Sequence, residues 1–163
     1  MNPKLKTINY RGGVVVFRIP ASWREEYDPE GGGTFYEDKP NSGTLRLNVL
    51  SFESTSEENW EQAVGRVFPA GSFELLPSGL NLRQYMLPGE ENDEILHIHR
   101  WEIAIPIPPK RFNLVCFAHT IIAGQESTPI IAAELKLVDL LVRSAEFGRV
   151  PRVAGTYHHV RNA

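Results

Sequence analysis

Three histidines, His97, His99 and His119, are the residues whose type and spacing could do chemistry in this chain. In an extended segment His97, His99 and Trp101 point to one face. A hairpin centred near Pro108 would set His97 opposite His119 and His99 opposite Phe117, so that three imidazoles converge. Three imidazoles with an open position suit zinc or iron. His-x-His also arises by chance in strands, and the plainer expectation is three partly buried polar side chains among aromatic neighbours. No cofactor is required by anything else in the chain.

A second group is acidic. Glu25, Glu26, Asp28 and Glu30 lie between Trp23 and Gly33, just before Tyr36. Gly31-Gly32-Gly33 lacks the Lys-Ser/Thr that a phosphate loop needs, and the carboxylates before it would repel phosphate. Asp28 and Glu30 lack the ligand spacing of an EF-hand, so a solvated loop is expected. Such a loop, with Trp23 and Tyr36 beside it, would choose a basic protein partner. Glu134 falls within the apolar arc of a helix and needs a partner there, with Arg100 or a histidine as candidates. Ser22 and Ser42 have no nucleophile-elbow context, and Cys116 sits in an apolar run, so no catalytic triad is read and an enzyme is not expected.

These side chains must be positioned by a chain of 163 residues, 42% hydrophobic and 23% charged, with net charge −3. That length supports one core without staples. The charge gives no general attraction to nucleic acid or anionic lipid. No run approaches the roughly 20 apolar residues of a membrane span, and no apolar h-region follows the basic start. One cysteine excludes an internal disulfide and points to a reducing, cytoplasmic setting.

Strands are expected over 14–19, over 34–38 with 44–52 as a hairpin, and over 73–76, 80–87, 95–105 and 112–122, the last four as a meander because their links are short. In the hairpin Leu45, Leu47 and Val49 share a face opposite Arg46 and Asn48. Thr55 and Glu58 form a capping box for a helix carrying Trp60, Ala63, Val64, Val67 and Phe68 on one stripe. A longer helix starts at Thr128-Pro129 and runs to about Phe147, with Ile131, Leu135, Val138 and Val142 inward and Ile130, Leu137 and Leu141 widening the arc. The expected fold is α+β, an antiparallel sheet with helices packed on it in an α/β/α sandwich. Residues 1–148 make the single domain. Residues 149–163 form a basic tail with three arginines and no acid, leaving −6 on the rest.

Phe17-Arg18-Ile19-Pro20 followed by Trp23, then a hairpin, a helix, a four-stranded meander and a closing helix, together resemble the PsbP-like family. That family includes photosystem extrinsic subunits, their Ran-binding relatives and small bacterial proteins. The resemblance implies a central antiparallel sheet and a binding or assembly role. The spacing of His97, His99 and Glu102 is also similar to the metal-binding strand of cupins, but Glu102 lies on the other face and no second histidine motif follows. The expected function is therefore a bacterial-type, non-enzymatic protein-binding module. The alternatives are a metal- or small-molecule-binding protein using the histidines, or a toxin immunity or adaptor protein.

Overall fold

The computed structural model describes residues 3–53 and 73–148. The expected helix over 55–68 and the basic tail over 149–163 lie outside them. Within the described residues the chain is α+β, with two antiparallel sheets and one α-helix. Among these residues no helix is long and apolar enough to cross a membrane.

The larger sheet has seven strands in the order β3-β4-β5-β9-β8-β7-β6, comprising Arg24–Tyr27, Gly33–Tyr36, Thr44–Glu53, Arg111–Ile122, Glu94–Ile107, Asn81–Glu91 and Glu74–Leu75. The meander β6 to β9 is as the short links required. Leu45 and Leu47 are buried while Arg46 and Asn48 face solvent. Three strands are not among those the sequence predicts: β3, β1 (Leu5–Tyr10) and β10 (Glu146–Phe147). β1 pairs with β2 (Val15–Pro20) through a turn at Arg11-Gly12-Gly13, and β10 pairs with the other edge of β2. This three-stranded sheet packs on the larger one through Ile8, Val15, Phe17 and Ile19. Phe17 bridges the layers, its ring edge-on to Phe35 and Phe117 at 5.2 Å each.

The acidic segment is not a loose loop. β3 forms a hairpin with β4, closed by the Asp28 N–H to the Gly32 carbonyl at 3.1 Å. Gly31 and Gly32, at φ of 117° and 105°, supply left-handed backbone that other residues rarely adopt. An all-polar four-residue strand carries no apolar alternation, which is why its sequence reads as loop.

Helix α1 (Pro129–Arg143) starts as expected, with the Thr128 side chain accepting from the Ile131 N–H and proline at the first position. It stops four residues early because Glu146 and Phe147 pair with Val16 and Val15 instead. The chain is then held by the Gly148 N–H on the Gly13 and Val14 carbonyls. Ile131, Val138, Leu141 and Val142 are buried, but Ile130 is 81% exposed and so does not widen the buried arc. The sheet accepts a narrower stripe of helix than the apolar residues of α1 could fill.

Candidate functional site

The histidines do share the face of the larger sheet that α1 covers, but in a different register. Pro108-Pro109-Lys110 is a three-residue link with Ile107 opposite Arg111, so the hairpin centres on Pro109. His99 therefore pairs with His119, His97 with Ile121, and Trp101 with Phe117. A two-residue shift keeps every side chain on its face. It also makes His99 and His119 direct cross-strand neighbours.

Each imidazole meets a carboxylate. The His97 Nδ1 contacts Glu126 Oε1, and the His99 Nε2 lies 3.6 Å from the same oxygen, beyond hydrogen-bond reach. Glu126 belongs to the short 3-10 turn Gln125–Ser127 that leads into α1. Its carboxyl is subject to burial, which favours the neutral form. The His97 contact and the backbone N–H groups of Glu126 and Gly124 outweigh that and hold it below the usual range. Burial lowers the His99 pKa despite the attraction of Glu126.

His119 is fully buried and stacked on Trp23 at 6.4 Å and 11°. Its Nε2 is 3.3 Å from Glu134 Oε1, within ion-pair distance but without hydrogen-bond geometry, and neither ring nitrogen has a hydrogen-bond partner. Glu134 instead accepts the Gly43 N–H at 3.2 Å. A side-chain carbon at Gly43 would fall on the His119 ring, so glycine is what allows the backbone this close. Of the two partners expected for Glu134, the structure chooses the histidine. Arg100 is on the opposite face. Among the described residues no three His, Cys, Asp or Glu side chains are arranged to hold a metal ion.

Trp23 is only 5% exposed and closes over His119, which removes its ring from any docking surface; this corrects its placement with the acidic residues. The remainder of that group does lie together on the outside. β3 is the terminal strand of the larger sheet and all four of its residues are exposed, as are Asp28 and Glu30. Glu25 is bonded by Lys6 Nζ at 2.8 Å and by the Tyr27 hydroxyl at 2.7 Å, which together pull its pKa down, Lys6 foremost. Burial, and then Glu25, push the Tyr27 hydroxyl up to about 12. Tyr36 is half-buried and donates to Glu26 at 2.9 Å, and its pKa is raised chiefly by that bond. Because the ladder alternates and Asp28 bonds inward to Gly32, the N–H and C=O of Glu25 and Tyr27 turn away from β4. Lys6 Nζ takes the Trp23 carbonyl at 2.7 Å, capping the start of that edge.

Sequence reasoning missed a third cluster, on the far face of the larger sheet. Glu102 is fully buried and accepts from Arg83 Nε at 3.1 Å, from Arg83 Nη2 and from the Tyr85 hydroxyl, with Arg100 Nη2 in ion-pair contact at 3.3 Å. Cys116 lies opposite Glu102 in the ladder, and burial, then Glu102, push its thiol up to about 11. Such a thiol is a poor nucleophile. Parity had put Glu102 on the face away from the histidines. The signal for its partners was Arg83 and Tyr85 at alternate positions of the neighbouring strand.

No family model matches the chain, and no curated protein matches it. Among solved structures, a protein from Bacteroides thetaiotaomicron VPI-5482 superposes with a TM-score of 0.57 at 15% identity, over 91% of this chain and 50% of that one. This chain thus spans half the length of the Bacteroides protein. LpqN, involved in cell envelope biogenesis of Mycobacterium tuberculosis, superposes with a TM-score of 0.59 at 10% identity, over 90% of this chain and 91% of that one. At these identities the likeness is one of fold.

Proposed function

We propose that this chain is a non-enzymatic protein-binding or assembly module of PsbP-like type, which docks a basic, extended segment of a partner protein along β3. The observation that carries this reading is the outer edge of β3. It is a strand with every residue exposed, with the N–H and C=O of Glu25 and Tyr27 turned away from β4 and paired with no other strand among the described residues, and with the carboxylates of Glu26, Asp28 and Glu30 beside them. A partner strand would gain backbone hydrogen bonds from the edge and register from its basic side chains. Tyr27, 52% exposed and braced edge-on against Phe35 at 5.9 Å, offers a rigid apolar contact at the centre. A cytoplasmic site of action is supported by the lone, buried cysteine. The description of LpqN makes the cell envelope the competing location, and fractionation of the host distinguishes the two.

The test uses a fluorescent peptide of alternating lysine and valine. Binding should weaken by about tenfold or more when Glu26 and Glu30 are both replaced by lysine, and by a similar factor between low and high salt. Amide shifts on binding should centre on Glu25 and Tyr27. Glu134→Gln is the control: it should lower the melting temperature, having weakened the hold on Gly43, and leave peptide affinity unchanged. Equal affinity for an alternating glutamate-valine peptide, or shifts that map to another part of the sheet, would rule the edge out.

A further inference from the structure

The described chain ends beside the acidic edge. The Gly148 N–H donates to the Gly13 and Val14 carbonyls at 3.0 and 3.2 Å, which fixes the exit at the turn between β1 and β2. That turn lies against the turn between β3 and β4. The Gly32 N–H donates to the Tyr10 hydroxyl at 2.8 Å, and a side-chain carbon at Gly31 would overlap Arg11 Nη2. Lys6, at the other end of β1, reaches Trp23 and Glu25. β1 thus runs beside β3 in the same direction, and the exit is at the Tyr27 end of the edge.

We infer that residues 149–163 of this chain occupy the outer edge of β3 as an added antiparallel strand and hold off the basic partner segment, an inference that rests on the docking reading of that edge. Direction, length and charge each select this occupant. A segment leaving at the Tyr27 end and running towards Arg24 is antiparallel to β3, the orientation that a short link allows. Extended, residues 149–163 span roughly 50 Å, against roughly 13 Å for the four residues of β3. Arg149, Arg152 and Arg161 are the formal charges of the segment and it has no acid, whereas Glu26, Asp28 and Glu30 are exposed along the edge. Pro151 and Gly155 interrupt its first part, which leaves residues 156–161, with Thr156, Tyr157 and Val160, as the run suited to a strand. The β3 edge of a second copy would bring the same carboxylates together and is repelled.

Tethering supplies the strength. A segment joined to the molecule it binds is presented at an effective concentration on the order of millimolar. A contact with a dissociation constant on the order of 100 µM as a separate peptide therefore fills the edge in its own molecule, and an incoming segment binds about tenfold more weakly for having to displace it.

The test keeps the full chain and places a nitroxide label on Ala163→Cys. Cys116 is buried with its thiol pushed up to about 11, so the new cysteine alone takes the label. The label should broaden the amides of Glu25, Glu26 and Tyr27, leave those of Glu74 and Leu75 at the opposite edge of the sheet sharp, and lose its effect at high salt. Adding Tyr157→Pro and His158→Pro, adjacent so that one falls at a bonding position in either register, should abolish the broadening and tighten binding of the lysine-valine peptide by about tenfold. Unbroadened β3 amides, broadening that survives the two prolines, or broadening of equal size when labelled chains are mixed with unlabelled observed chains would each overturn the inference. So would a peptide that binds at the edge with the same affinity with and without the prolines. If β3 is broadened as expected but the peptide binds neither form, the segment's contact stands and the partner reading falls.

Discussion

Burial decides what the ionisable residues can do. Glu102 has no solvent contact and depends on Arg83, Tyr85 and Arg100 for the charge and hydrogen bonds that water would supply. Removing one partner of such a cluster leaves an uncompensated charge, so Glu102→Ala should cost about 3–5 kcal/mol in chemical denaturation. A change below about 1 kcal/mol would mean the guanidinium groups find other acceptors. His99 responds to pH. Its folded pKa is lowered by burial, so below the unfolded value near 6.5 the unfolded chain binds more protons and stability is lost as pH falls. Glu126 and Glu25, also lowered, act in the same sense at more acidic pH, where their folded-state carboxylates would have to be protonated. The melting temperature should fall between pH 7.5 and 5.5, and His99→Gln should flatten that slope. An unchanged slope would assign the acid sensitivity elsewhere.

Helix α1 serves the sheet as cover and as a source of polar ties. The Trp101 indole donates to Asp139 at 2.9 Å, and Asp139 is in turn held by Arg143 Nε at 3.0 Å. Arg143 continues to Glu74 at 2.8 Å, tying the helix end to the edge strand β6. Val138 is the fully buried centre of the stripe. Val138→Ala should cost about 2–3 kcal/mol, because the rigid sheet beneath cannot close the cavity. Leu140→Ala, two residues further on but facing outward, should change stability by less than about 0.5 kcal/mol in the monomer. Equal costs at the two sites would contradict the helix orientation.

Among the described residues, two sheets of unequal size share one core, with Phe17 as an aromatic bridge between them and helix α1 packed on the larger sheet. Phe17 is the residue through which the β1-β2-β10 layer reaches Phe35 and Phe117. Phe17→Ala should lower stability by about 3–5 kcal/mol while the molecule still melts in a single transition, since both layers bury the same core. Two separate transitions, one for each sheet, would show that the layers fold independently.

Local patterns in the sequence settled the strands that alternate, such as Leu45 to Val49, the meander whose short turns leave no other topology, and the Thr128-Pro129 start of the helix. Those features depend on neighbours a few residues away, where turn chemistry and side-chain period act directly. The tertiary structure alone decided that Arg24–Tyr27 is a strand, that the chain after Arg143 returns to β2, that His99 rather than His97 meets His119, and that Trp23 is inside. Each of these is fixed by a partner distant in sequence: β4 supplies the ladder for an all-polar strand, β2 offers a free edge, a three-residue turn sets the register, and the His119 ring gives the indole a surface to stack on. Pairing energy of that kind is absent from any single segment and exists only once the layers have met.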